Sequence, residues 1–120
     1  MRDYKDIKAY QLADSLVIEV YRATKRFPKE EMYGLVSQLR RAVVSVPSNI
    51  AEGASRQHKR NYLQFLYISR GSLAEVEYLV HLTDRLEYLT KGEVETINRL
   101  REDTAKTICG LIEAVERETR

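Results

Sequence analysis

Apolar residues return every three or four positions along most of the chain, the periodicity of helices that each turn one face inward. From about Ile7 to Lys25, Tyr10, Ala13, Val17, Val20 and Tyr21 keep this spacing, while Ala9, Leu12 and Leu16 widen the apolar surface. Phe27-Pro28 predicts a stop, because the residue before a proline is pushed out of the helical region and Pro28 can open the next helix. A second helix is expected from about Lys29 to Glu52, with Leu35, Leu39, Ala42, Val43, Val46 and Ile50 inward. Glu30 and Glu31 complement its positive end, and Gly53 is its expected stop. Pro47 removes a backbone donor, so a kink near Val43 to Val46 is expected, the apolar register surviving through Ile50.

The third helix is predicted as the longest, from about Gln57 to Tyr88, and it carries two apolar stripes. Leu66, Leu73, Val76 and Val80 form one; Phe65, Ile68, Leu79, Leu82, Leu86 and Leu89 form the other. Together they exceed what one bundle core requires, which predicts a subunit interface. Gly71 and Ser72, with Ser69 and Ala74, are small enough to let another helix approach. After a break at Thr90-Lys91-Gly92, Ile97, Leu100, Thr104, Ile108, Leu111 and Val115 predict a fourth helix to about Glu118. Short connections favour antiparallel neighbours, so the expected fold is all-α, an up-down-up-down antiparallel four-helix bundle.

Composition agrees with one such domain spanning residues 1–120: the chain is 43% apolar and 32% charged, with five glycines and two prolines. Cys109 is the only cysteine, which excludes an internal disulfide and a thiolate metal cage within one chain, and a cytoplasmic location is expected. The start, Met1-Arg2-Asp3-Tyr4-Lys5-Asp6, is too charged for a signal peptide. No apolar run approaches the roughly 20 residues that cross a bilayer, so no membrane association is expected.

Net charge is +2, unevenly distributed: residues 22–60 hold nine Lys/Arg against three Asp/Glu. Arg22, Lys25, Arg26 and Lys29 surround the first turn, Arg40 lies on the second helix, and Arg56, Lys59 and Arg60 surround the second turn. These are the candidate nucleic-acid-binding residues. In an antiparallel bundle the two turns fall at opposite ends, so a continuous phosphate track requires several subunits to align their patches. Tyr62 and Tyr67 read as core or interface residues before base-stacking platforms.

Catalytic chemistry is hard to place. The Glu-x-x-His pair of di-iron bundles is absent; Glu77 and His81 share a face but lack further ligands, so no metal or cofactor is expected. There is no nucleophile elbow and no glycine-rich phosphate loop. Cys109, beside Ile108, is expected to be a packing residue. The unusual polar feature is a stripe on the second helix: Ser37, Arg41, Ser45, Ser48 and Glu52, with Gln38 and Asn49 alongside. We read it as a hydrogen-bonded seam fixing helix register or subunit contact, because buried polar groups need partners. The competing reading is a lined channel or ligand site.

Three segments, Phe27-Pro28-Lys29-Glu30-Glu31-Met32-Tyr33-Gly34-Leu35, Gln38-Leu39-Arg40-Arg41-Ala42 and Ser45-Val46-Pro47-Ser48-Asn49-Ile50-Ala51-Glu52-Gly53, resemble the four-helix bundle family named for proteins encoded in 23S rRNA intervening sequences. Phe65-Leu66-Tyr67-Ile68-Ser69-Arg70-Gly71-Ser72-Leu73-Ala74-Glu75 is similar to that family as well. The resemblance implies assembly into a ring-like pentamer. It extends to the accessory variability proteins of diversity-generating retroelements, which implies as partners nucleic acid and a protein such as a reverse transcriptase. The expected function is a non-enzymatic homo-oligomeric scaffold or binding protein, holding RNA or DNA on basic patches aligned by assembly. The alternative is a protein-only interaction module.

Overall fold

The computed structural model describes residues 3–119, and Met1 and Arg2 of the charged N-terminal run lie outside them. Among the described residues there are four α-helices and no strand: α1, Lys8–Thr24; α2, Ser37–Ala54; α3, Lys59–Arg85; and α4, Lys91–Glu118. α1 packs on α2 and α4, and α3 packs on the same two, so the four close around one core in a body of 47 × 24 × 20 Å. Leu16 and Val20 of α1 meet Leu39, Val43, Val46 and Ile50 of α2, Leu66, Val76 and Val80 of α3, and Ile97 and Ile108 of α4 in this core. Each such side chain contributes about 1.5–3 kcal/mol when fully buried.

The inward face of α1 is Ala9, Ala13, Leu16, Val20 and Ala23, a narrower and smaller set than the spacing suggested, with Tyr21 exposed. Small residues there bring α1 close to its neighbours. Phe27 ends the helix region as expected, buried with its ring 5.3 Å from that of Tyr88. The start of the second helix is more elaborate than a clean helix from Lys29. A 3-10 turn at Lys29–Glu31 runs into a π-turn at Met32–Val36, where Gly34 leaves helical geometry, and regular winding begins at Ser37. Glu31 joins these pieces: its carboxylate accepts from the Leu35 amide at 3.5 Å and from the Tyr88 hydroxyl at 2.9 Å.

α2 passes through Pro47 unbroken. Opposite it, the buried Ser69 hydroxyl donates to the Val46 carbonyl at 2.8 Å, and Ser45 meets Ser72 hydroxyl to hydroxyl at 2.8 Å. Gly53 does not stop the helix; it lies within it, buried, where an added Cβ would come 2.8 Å from Phe65 Cβ and from Tyr62 Cδ1. The close approach of α2 and α3 therefore runs through Gly53, Ser69 and Ser72. Gly71 faces open space within one copy.

α3 has 27 residues and α4 has 28, so α3 is not the longest helix. α3 closes with Glu87 at φ 63°, a left-handed cap in which the Tyr88 amide reaches back to the Thr83 carbonyl at 3.0 Å. Lys91 and Gly92, expected in the break, form the first turn of α4 instead. Thr90 caps it: its hydroxyl accepts from the Glu93 amide and the Glu93 carboxylate accepts from the Thr90 amide. Cys109 points outward and is not part of the core.

Candidate interaction surfaces

The basic residues of the first turn sit beside the start of α4. Arg26 forms an ion pair with Glu93, and Arg22 reaches Glu19 on its own helix at 3.4 Å. Lys25 and Lys29 are exposed and carry no ion pair among the described residues. Arg40 is committed to the fold. Its Nε donates to Thr24 Oγ1 at 2.9 Å, a second nitrogen reaches the Tyr21 carbonyl at 3.4 Å, and its guanidinium lies 4.4 Å from the Tyr21 ring centroid. A cation against the last carbonyls of α1 also complements that helix end.

The second turn sits beside the end of α4. Arg56 pairs with Glu52 at 2.6 Å and covers the Phe65 ring at 4.8 Å, while Lys59 pairs with Glu118 at 2.8 Å. Arg60 is exposed. The two basic clusters are thus separate surfaces within one copy, and most of their charges already face a carboxylate or the fold itself.

The polar stripe of α2 divides. Ser45 and Asn49 bond with each other, the Asn49 amide donating to the Ser45 carbonyl at 2.8 Å and to its hydroxyl at 2.9 Å, and Ser45 alone reaches α3 through Ser72. Ser37, Gln38 and Arg41, with Ser45, line an open groove of about 540 Å³ between α2 and α3, walled by Tyr33, Ser72 and Glu75. Ser48 turns to the other side, lining a smaller pocket with Tyr10, Asp14 and Val17 of α1. Glu52 is taken by Arg56.

Of the second apolar stripe on α3, Leu79 and Leu89 are buried, Phe65 and Leu82 half-buried. Ile68 remains 50% exposed, Leu86 45% and the neighbouring Tyr78 59%. Ile68, Glu75, Leu82 and Leu86 follow one line of the helix, and Glu75 belongs to the groove wall, so the apolar row and the groove adjoin. The π-turn brings Tyr33, 94% exposed, to the groove, and Met32 before it in the chain is 53% exposed. Neither residue was singled out in the sequence, where regular helical spacing puts Met32 on the inward face with Leu35 and Leu39 and leaves Tyr33 off it. The irregular winding around Gly34 leaves Met32 exposed despite that spacing.

These surfaces belong to an all-helical bundle with no group of three or more His, Cys, Asp or Glu side chains able to hold a metal among the described residues. Nor is any helix there long and apolar enough to cross a membrane. Residues 5–110 match the family model described as 23S rRNA-intervening sequence protein, and the chain belongs to that family. A crystal structure of a protein of unknown function from the S23 ribosomal protein family of Bacteroides thetaiotaomicron is similar, with a TM-score of 0.80 and 23% identity over 88% of this chain and 95% of that one. At that identity the likeness speaks for the fold. No match to a curated protein was found.

Proposed function

We propose that the protein is a non-enzymatic, cytoplasmic homo-oligomeric scaffold, an antiparallel up-down-up-down bundle whose copies associate through the outer face of α2 and α3. Antiparallel order is supported by the pairs Lys59–Glu118, Tyr67–Glu116 and Glu77–Arg101, which rise along α3 as they fall along α4. The carrying observation is that Ile68, Tyr78 and Leu86 stay exposed on the outer side of the α3 segment, while Tyr33 is exposed on the groove that Glu75 of the same segment walls. Aromatic and aliphatic side chains clustered beside a polar groove make the anatomy of a protein interface, with Arg41 and Glu75 as its charged rim. A pentameric ring follows from the family resemblance, and Ser37, Arg41, Ser45, Ser48, Asn49 and Glu52 then divide between a seam holding α2 to α3 and groups offered to a neighbour.

Assembly repeats the exposed cations Lys25, Lys29 and Arg60 around the ring, with Arg22, Arg26, Arg56 and Lys59 beside them, and RNA or DNA is the polyanion this repetition suits. The pairing of Arg26, Arg56 and Lys59 with carboxylates favours a second reading, a module that binds only protein, because those charges are already compensated. Native mass measurement and fluorescence anisotropy separate the readings. The scaffold reading expects an oligomer that an Ile68→Asp, Leu86→Asp variant reduces to a folded monomer. Nucleic-acid binding expects affinity that falls steeply with salt and with Lys25, Lys29 and Arg60 changed to Glu. A monomeric wild-type protein removes the scaffold; absence of any salt-sensitive affinity leaves the protein-only module.

A further inference from the structure

A cleft of about 800 Å³ lies apart from the α2–α3 groove, where the α2–α3 turn meets the last turns of α4. That is within the roughly 300–1,000 Å³ of pockets that take small organic ligands. Its floor is apolar, made by Leu111, Ala114 and Val115, and its rim carries Arg56, Lys59 and Glu118. The groove beside Tyr33 differs, being walled mainly by hydroxyl, amide and charged groups.

The rim cations are fixed but exchangeable. Arg56 is oriented by its stacking on Phe65 and by Glu52 outside the cleft, and Lys59 by Glu118 on the opposite wall. All four charged side chains are about half exposed, and ion pairs in such positions contribute little, so an incoming anion can replace a carboxylate at small cost. Arg56 and Lys59 give an anionic head two donors once it displaces Glu52 or Glu118, while the floor rewards hydrocarbon brought out of water. We propose that this cleft binds an amphipathic carboxylate, a medium-chain acyl acid, with its head between Arg56 and Lys59 and its chain along Leu111, Ala114 and Val115. The cleft is complete within one copy, so the proposal does not rest on oligomer formation or on nucleic-acid binding.

Titration of sodium decanoate, below its micelle-forming concentration, into the full-length isotope-labelled protein tests this by amide chemical shifts. Saturable shifts confined to residues 54–62 and 111–118 are expected, with decanol and acetate binding at least about tenfold more weakly, since each lacks one half of the recognition. Ala114→Trp fills the cleft and should abolish binding while leaving both cations in place. Lys59→Gln, at an exposed position, should weaken binding about tenfold and carries the test if Ala114→Trp lowers helix content. Unsaturable shifts, shifts centred on the outer face of α3, equal binding of decanol, or undiminished binding by Lys59→Gln would each overturn the proposal. The oligomeric state measured without decanoate reports separately on the scaffold.

Discussion

Gly53 and Gly71 show how differently the same residue can be used on adjoining helices. At Gly53 the absent side chain lets α2 lie against α3, since a methyl group there would stand 2.8 Å from Phe65 Cβ, an atom that cannot swing away. At Gly71 a methyl group meets nothing within 4 Å. Gly53→Ala therefore incurs an overpacking cost of about 1–3 kcal/mol that exceeds the helix-propensity gain of at most about 1 kcal/mol, smaller still one residue from the helix end. Gly71→Ala keeps that gain without the clash. Thermal unfolding should show the first variant melting lower than wild type and the second melting higher. Equal shifts would mean that α2 and α3 do not meet at Gly53. The sequence pattern read Gly53 as a helix stop, because which residue of one helix meets another is not written in either helix alone.

At the scale of elements, what was legible was periodic and what was missed was local winding. The four helices, the Phe27-Pro28 stop and the inward set Leu39, Ala42, Val43, Val46 and Ile50 all follow from spacing, because a buried face must repeat with the turn of the helix. The 3-10 and π-turns over Lys29–Val36 do not, because their apolar residues keep a helical pattern while Gly34 breaks the winding. Side-chain bonds between elements were equally out of reach. Two tyrosines now tie elements together by donating to carboxylates: Tyr67 to Glu116 at 3.1 Å, linking α3 to α4, and Tyr88 to Glu31 at 2.9 Å, linking the end of α3 to the irregular start of α2.

Each of those hydrogen bonds, with some burial and the carboxylate's charge, raises the phenol above its ordinary value of 10.0. A phenol raised by folding adds stability that is fully present below 10.0 and is lost as pH rises through the folded value. Ultraviolet titration of the folded protein should accordingly show late-ionising tyrosines. Glu116→Gln should bring Tyr67 back toward its ordinary value, and Glu31→Gln should do the same for Tyr88. A single titration step unaffected by either substitution would show that these links are not held in solution.

For the whole molecule, the decisive quantity is how much apolar surface one copy can hide. Folding takes in Leu79 and Leu89 from the second stripe of α3, so the excess is smaller than the sequence suggested, yet Ile68, Tyr78 and Leu86 stay in water, as do Met32 and Tyr33. A patch concentrated on one face behaves differently from scattered apolar residues, because its removal from water needs a second surface of matching extent. If another copy supplies that surface, folding and association are linked, and the melting temperature must rise with protein concentration by mass action. Ile68→Asp with Leu86→Asp changes only exposed positions, so it should cut association while costing the isolated bundle little. Melting curves over a hundredfold range of concentration should therefore climb for the wild-type protein and coincide for the double variant. Coincident curves for both proteins, with a monomer's mass, would mean that the exposed row serves some contact other than a second copy of this chain.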